Sequence, residues 1–165
     1  MRVKISDNRN KQFIYGYIKP IKKNDLEVIS LSGQFKVFEW NNFVVNFKEM
    51  YKLELNGEIL GIIWFYKHAL FNLIIIEKIE VKIDIWKNKE YSLVGGCLIS
   101  FACLYSLNNC SGEIELIPKK EVRNHYKVAY KMKAIRENDG TEGRILELDK
   151  TNSECLVRKF LEQLV

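Results

Sequence analysis

The chain has 165 residues, of which 47% are hydrophobic, and this supplies enough apolar surface for the core of one domain. The formal charge of +5 arises from 26 basic and 21 acidic residues in mixed order, so no basic arm points to a nucleic-acid partner. Only two prolines occur, and no stretch has the composition of a linker or a disordered tail. We therefore expect a single folded unit over residues 1–165.

The cysteines and histidines do not have the spacing of a metal site. The four cysteines contain no C-x-x-C pair, and both histidines lie far from them in the sequence, so no metal is expected. Three of the cysteines fall in or beside one apolar segment, which is typical of small buried side chains in a reducing compartment. The first residues lack the apolar core of a signal peptide, and no run has the length of a membrane span. These features predict a cytoplasmic protein without a membrane partner.

The first half of the chain is rich in strand signals. The stretches "FIYGYIKPI", "LEVISL" and "FKVFEW" each predict a short strand. Asn56-Gly57 lies between two further strand-like runs and predicts a two-residue hairpin turn, because both residues accept a positive φ. The run "FNLIIIEKIEVKIDIW" predicts a long strand in which apolar and charged residues alternate from Ile79 to Ile85.

The second half alternates helices with strands. Apolar side chains surround most of the segment from Val94 to Leu107, which predicts a helix packed deep against the sheet. "GEIELIPKK" then predicts a strand, "KEVRNHYKVAYKMK" an amphipathic helix and "GRILELD" another strand. Thr151 and Glu154 have capping-box spacing at the start of a closing helix. The expected fold class is mixed α/β (α+β), with a mostly antiparallel sheet flanked by helices.

Two glycines stand directly before the apolar helix, in the sequence "LVGGCLI". The first N–H groups of a helix have no partner within the helix and carry the positive end of its dipole, so a small-residue loop there can hold an anion. A tight turn between strand and helix explains the same glycines without any ligand.

The hairpin, the long strand, the glycine turn into a buried helix and the later "HYKVAYKMK" helix together resemble the GNAT superfamily of acetyl-coenzyme A-dependent N-acyltransferases. The resemblance covers roughly residues 51–149. It is closest to a bacterial GNAT-like group with an "IEV" strand, a helix start similar to "NKEYSLVGGCLISFACLYS" and an "HY" helix. It implies a splayed strand before the glycine-turn helix, with acetyl-CoA as the cosubstrate and an amine as the acceptor.

The resemblance also implies a coenzyme site. In the family, the pyrophosphate lies on backbone amides of a Q/R-x-x-G-x-G/A loop, and Gly95 takes the place of the final glycine here. Leu93 replaces the first glycine, and Glu90 replaces the Gln or Arg. The resemblance further implies that the pantetheine arm pairs with the backbone of residues 80–84, around Val81. Additional loop contacts are implied at Val94, Gly96 and Cys97. A phosphate contact is implied at Lys119, and Lys87 or Lys89 would supply positive charge.

The resemblance implies that Tyr126 is the general acid that protonates the departing thiolate, because it stands early in the "HY" helix. Tyr130 is a rival one turn later, and either tyrosine can be packing against the sheet. Lys131 and Met132 occupy the positions of the family's Gly-Phe pair. His125 is expected at the surface, since consecutive helix residues point apart.

Glu80 is the candidate general base, with Asp84 expected on the same face of the strand. Alternating charges are equally typical of a solvent-facing strand. The acceptor amine cannot be read from the sequence, although Phe43, Trp64 and Trp86 are candidates for its pocket or for the core.

Three functions compete: an acetyltransferase, a GNAT-like module that binds without catalysing, and nucleic-acid binding near Lys19. The last has little support because no aromatic and basic platform accompanies "KPIKKN" in the sequence. The quaternary state, monomer or homodimer, stays open.

Overall fold

The computed structural model describes residues 1–38, 40 and 49–161. Its strands are β1 (Arg2–Asp7), β2 (Gln12–Pro20), β3 (Met50–Leu55), β4 (Glu58–His68), β5 (Leu73–Val81), β6 (Tyr91–Ser92), β7 (Ile114–Leu116), β8 (Lys133–Arg136) and β9 (Glu142–Leu148). Its helices are α1 (Lys23–Ser32), α2 (Ile83–Asn88), α3 (Val94–Asn109), α4 (Lys120–Ala129) and α5 (Lys150–Phe160). None of these helices is both long and apolar enough to cross a membrane.

The strands described form one sheet in the order β6-β1-β2-β3-β4-β5-β7-β9-β8. Each neighbouring pair is antiparallel except β5 and β7, which run parallel. This confirms the predicted mixed α/β class with a mostly antiparallel sheet. The predicted hairpin is also present, since Asn56 and Gly57 join β3 to β4 with φ values of 49° and 86°.

The sheet is covered by different helices on its two faces. One face packs against α3 and α5 in the larger core cluster. On the other face, α1 contributes Leu26 and Ile29 to a second cluster with Ile62 of β4. Gly61 lies on the α3 side, where an added Cβ would stand 2.9 Å from Leu98 Cδ1 and 3.0 Å from Val94 Cγ1. The absence of a side chain at Gly61 therefore lets the beginning of α3 lie directly on the sheet.

Two strand predictions in the front segment were wrong. The "LEVISL" stretch forms part of α1, because Leu26 and Ile29 are buried at helical spacing and Gly33 ends the helix with a φ of 63°. The "FKVFEW" stretch forms no strand at the residues described there, 35–38 and 40. Its Phe35 and Trp40 are instead buried beneath α1 in the second cluster.

Two boundaries also differ from the predictions. β5 ends at Val81, and Ile83 and Ile85 belong to α2, which buries Ile85. The residues 82–84 therefore do not continue the strand, and Asp84 does not share a strand face with Glu80. The capping-box prediction was wrong because Asp149 caps α5 by accepting a hydrogen bond from the Asn152 N–H at 2.8 Å.

Candidate functional site

The parallel strands β5 and β7 pair over three residues only, Ile74–Ile76 with Ile114–Leu116. Beyond Ile76, a β-bulge changes the register of β5, because Phe65 of β4 faces Ile76 and Trp64 faces Lys78. Glu77 is the extra residue of this bulge. A bulge bends its strand, so β5 diverges from β7 at the point where their pairing ends.

A cavity of about 520 Å³ opens between the diverging strands. Its wall brings together five of the predicted site residues, which are Glu80, Val81, Gly95, Lys119 and Tyr126. The other three, Val94, Gly96 and Cys97, belong to α3 but lie outside the cavity wall. Five of the eight predicted site residues therefore line one opening in the sheet.

The start of α3 faces this cavity without a side-chain cap. No side chain among the described residues accepts from its first amides, and its first turn contains no carboxylate. The side of α3 that carries Gly95 faces the cavity. A Cβ added at Gly95 would stand 3.3 Å from the Tyr130 hydroxyl and 3.7 Å from Val81 Cγ2. The exposed end of the helix dipole and its first N–H groups form an environment suited to an anion.

Gly96 and Cys97 have different surroundings from Gly95. An added Cβ at Gly96 would stand 2.7 Å from Phe160 Cζ, so this glycine is required for the packing of α5 on α3. The Cys97 N–H donates to the Leu93 carbonyl at 2.8 Å. The Cys97 side chain is fully buried, and burial raises the pKa of its thiol to about 12. A contact of Cys97 with the coenzyme stays a prediction, and its own amide already has a partner.

The two non-glycine residues at the family's glycine positions both have a left-handed backbone. Leu93 has a φ of 75° and Lys131 a φ of 58°. Met132, at the position of the family's Phe, is buried at 2% exposure. The backbone of both turns thus has the conformation that glycine adopts most easily, although neither residue is glycine.

Glu90 does not direct an unpaired carboxylate at the start of α3. Its Oε1 lies 2.8 Å from a guanidinium nitrogen of Arg9, which follows β1. The repulsion that its charge would exert on a bound pyrophosphate is reduced by this ion pair. Lys87, which follows Trp86 in α2, contributes a cation to the cavity wall.

Tyr126, Tyr130 and His125 form one ring cluster at the α4 side of the cavity. The ring centroids of Tyr126 and Tyr130 lie 5.7 Å apart, and that of His125 lies 5.4 Å from Tyr130. Burial raises the pKa of the Tyr126 phenol to about 12. Burial also raises the pKa of Tyr130, and the neighbouring Tyr126 adds to that rise. Both phenols therefore hold their protons at neutral pH, while His125 is exposed as expected and still lines the cavity.

Glu80 is buried at 5% exposure and holds the segment after α1 against β5. One carboxylate oxygen accepts from the Val37 N–H at 2.8 Å, and the other accepts from Trp40 Nε1 at 2.8 Å. The carboxylate thus lies at the cavity wall with a hydrogen bond to each oxygen. Its use as a general base stays a prediction.

One residue of the cavity wall and one residue that positions α3 were not identified from the sequence. Glu77 lines the cavity as an exposed bulge residue, and no sequence signal marks a bulge there. Gly61, on which the beginning of α3 packs, was missed although a signal for it exists, since a glycine inside a strand pattern indicates close backbone approach. Of the aromatic candidates for an acceptor pocket, Trp86 lines the cavity, Trp64 packs against the second core cluster, and Phe43 lies outside the described residues.

Comparison with known proteins gives a match at the level of fold. No family model and no curated protein matches the sequence. The structure is similar to the N-acetyltransferase YlbP of Bacillus subtilis in complex with coenzyme A, at 13% identity and a TM-score of 0.58 over 81% of this chain and 96% of that one. The ribosomal-protein-S18-alanine N-acetyltransferase of Escherichia coli matches at 14% identity and a TM-score of 0.60 over 81% and 92%.

The PaiA N-acetyltransferase of Thermoplasma acidophilum, also in complex with coenzyme A, matches at 12% identity and a TM-score of 0.55 over 82% of this chain and 99% of that one. At these identities the similarity is one of fold. The chain has the fold of the GNAT N-acetyltransferases.

Proposed function

We propose that residues 1–165 form an acetyl-CoA-dependent N-acetyltransferase domain that moves an acetyl group to a primary amine. The observation that carries this proposal is that two backbone features, the start of a helix and the free edge of a strand, open into the same cavity. The uncapped start of α3 opens beside Gly95, and the edge of β5 from Glu77 to Val81 lies free of β7 in the same opening. The coenzyme A complexes among proteins of the same fold support it.

The residues that hold acetyl-CoA would act mainly through their backbones. The N–H groups of Val94, Gly95 and Gly96 would donate to the pyrophosphate at the positive end of α3. The free edge of β5 around Val81 would pair with the amides of the pantetheine arm, as an added strand does. Lys119, exposed at the cavity wall, is the candidate for a further phosphate contact. Leu93 supports this reading, because its left-handed backbone keeps the shape of a glycine turn.

The reaction would proceed by direct attack of the amine on the thioester carbonyl. A new N–C bond forms, the C–S bond breaks, and the sulfur leaves as a thiolate that takes a proton from Tyr126. A phenol whose pKa is raised to about 12 keeps that proton available throughout the neutral range. Tyr130 remains the rival acid, since its hydroxyl lies beside Gly95.

A base must remove a proton from the amine before or during the attack. Glu80 is the proposed base, directly or through water, because its carboxylate lies in the cavity wall. Glu77 is the alternative that the structure adds, since it is exposed in the same wall. We also propose a cytoplasmic location, in keeping with four cysteines that form no disulfide.

The first test is a titration of the purified protein with acetyl-CoA, following the thermal midpoint. A ligand that binds only the folded state raises that midpoint in a saturable way. Coenzyme A should raise it as well, and acetate should not. If acetyl-CoA gives no shift at millimolar-range concentration, the acetyltransferase proposal fails and a GNAT-like fold without coenzyme function replaces it.

A positive titration leads to a screen of amine acceptors in which free thiol release is measured. Tyr126→Phe should lower kcat by about 10²-fold or more while leaving the acetyl-CoA titration unchanged, because only the acid is removed. Tyr130→Phe is the matched control. If Tyr130→Phe lowers kcat and Tyr126→Phe does not, the acid is Tyr130.

A further inference from the structure

The β1–β2 hairpin presents a solvent-exposed aromatic and basic surface, far from the cavity in the order of the strands. We call it the hairpin face. It consists of Arg2, Lys4, Phe13, Tyr15, Tyr17 and Lys19. The three rings are among the large hydrophobic side chains left open to solvent, with exposures of 55% for Phe13, 41% for Tyr15 and 46% for Tyr17. A contiguous row of exposed apolar rings is typical of a surface that binds another molecule.

The side chains of this face alternate with core residues. Val3, Ile5 and Ile18 point to the opposite side, where they are buried in the larger cluster. The register places Lys4 opposite Tyr15 and Arg2 opposite Tyr17, so both strands contribute to the same surface. The rings of β2 therefore form one row, with the cations of β1 beside them.

Each ring has a cation over it. The guanidinium carbon of Arg2 lies 3.6 Å from the ring centroid of Tyr15, and the Lys4 Nζ lies 4.3 Å from that of Phe13. The Lys19 Nζ lies 5.6 Å from the Tyr17 ring and also pairs with a carboxylate oxygen of Glu54. Within the described part of the chain, neither Arg2 nor Lys4 forms an ion pair with a carboxylate. Two positive charges thus lie against exposed rings without a carboxylate partner among the described residues.

We propose that the hairpin face binds single-stranded nucleic acid, with its bases stacked on the rings and its phosphates beside Arg2 and Lys4. Proteins that bind single strands combine flat aromatic side chains with cations along a groove or sheet. Alternate residues of a strand lie about 7 Å apart on one face, which presents the rings as separate stacking surfaces. The sequence argument against such a partner rested on the absence of an aromatic platform near Lys19, and the fold supplies that platform.

Two other occupants fit the surface less well. A second copy packed by two-fold symmetry would bring the same uncompensated cations close to each other. An acidic peptide would pair with the cations, but its carboxylates offer no flat group to stack on the exposed parts of the three rings. A polyanion that also carries flat bases satisfies both features. This inference does not depend on the acetyltransferase proposal, because no residue of the hairpin face lines the cavity.

The test is fluorescence anisotropy of a fluorescein-labelled oligouridine RNA of about 12 nucleotides, titrated with the full chain. The variants are Tyr15→Leu, which removes a ring, and Tyr15→Phe, which keeps it. We expect Tyr15→Leu to weaken binding about 5- to 100-fold and Tyr15→Phe to leave it nearly unchanged, because the ring face carries the stacking. Phe13→Leu gives a second site in case Tyr15→Leu lowers the thermal midpoint.

The charge contribution is measured by repeating the titration between about 50 and 200 mM salt. Lys4→Gln should reduce the magnitude of the slope of log K for RNA binding against log salt concentration by about the amount expected for the loss of one phosphate contact. The proposal is overturned if no saturable binding occurs at the lowest salt, or if both ring variants bind like the wild type. Equal competition by polyglutamate, or a homodimer that Tyr15→Leu dissociates, would assign the face to an acidic protein or to a second copy.

Discussion

The Tyr130 hydroxyl lies 3.3 Å from the position that a Cβ atom would take on Gly95, at the first turn of α3. A side chain at Gly95 therefore projects into the cavity beside the uncapped amides. Gly95→Asp places a carboxylate there, where it interacts favourably with the helix dipole but repels a pyrophosphate.

We expect Gly95→Asp to remove the acetyl-CoA-dependent rise of the thermal midpoint. The midpoint of the free protein should fall only slightly, because the Tyr130 hydroxyl must move by a few tenths of an ångström to admit the new Cβ. Gly95→Asn, which has the same shape without the charge, should retain more of that rise. Equal effects of Asp and Asn would mean that the cavity excludes the ligand by size and that charge has no part in it.

The left-handed backbone of Leu93 is unfavourable in conformational energy. An L residue in this region costs about 1–2 kcal/mol, and glycine does not carry that cost. Leu93→Gly should therefore be more stable than Leu93→Ala by about 1 kcal/mol, in contrast to the usual order in helices. Urea denaturation measures the difference. An alanine variant that equals or exceeds the glycine variant would show that the turn has another conformation.

Gly96 and Phe160 join α3 to α5. An added Cβ at Gly96 would lie 2.7 Å from Phe160 Cζ and 2.8 Å from Cδ1. Gly96→Ala should lower the free energy of unfolding by about 1–3 kcal/mol through overpacking. Combining it with Phe160→Leu should cost less than the sum of the two single changes, since the smaller side chain makes room. Strict additivity in urea denaturation would contradict this contact.

The carboxylate of Glu80 accepts from two neutral donors, and an amide in its place offers only one oxygen. Glu80→Gln should lower the free energy of unfolding by about 1–3 kcal/mol, because the Val37 N–H or the Trp40 indole then loses its acceptor. Glu77→Gln, at an exposed position, is the control and should change stability by less than about 0.5 kcal/mol.

The same pair of variants tests the base. If Glu80 is the base, Glu80→Gln lowers kcat, whereas Glu77→Gln leaves kcat unchanged. A loss of stability in Glu80→Gln with an unchanged kcat would leave Glu80 a purely structural role. If Glu77→Gln lowers kcat and Glu80→Gln does not, Glu77 is the base.

Tyr126 makes stability depend on pH in the alkaline range. Its pKa in the folded protein is about 12, above the value of about 10 in an unfolded chain. The folded state holds the proton that the unfolded state loses, so the free energy of unfolding falls as pH rises from about 10 to about 12. Tyr126→Phe should reduce that fall by on the order of 2 kcal/mol, measured by urea denaturation across the window. An identical slope in the variant would mean that the phenol is open to water.

The local pattern of the sequence determined most of the elements but not the boundaries set by packing. Asn56-Gly57 predicted its hairpin because the turn chemistry is local. The "LEVISL" stretch did not reveal α1, since its few apolar residues fit either period, and burial of Leu26 and Ile29 on the sheet decided the helix. The end of β5 at Val81 could not be predicted for a similar reason, because the alternation of apolar and charged residues continues into α2.

The pattern of residues along the chain was enough to predict the mixed α/β class, the glycine turn before a buried helix and several residues of the cavity wall. Which of these residues lie together became clear from the folded chain. The bulge at Glu77, the opposite surroundings of Gly95 and Gly96, and the hydrogen bonds of Glu80 all depend on contacts between distant segments. The hairpin face arose in the same way, because the register of two strands places the cations of one over the rings of the other.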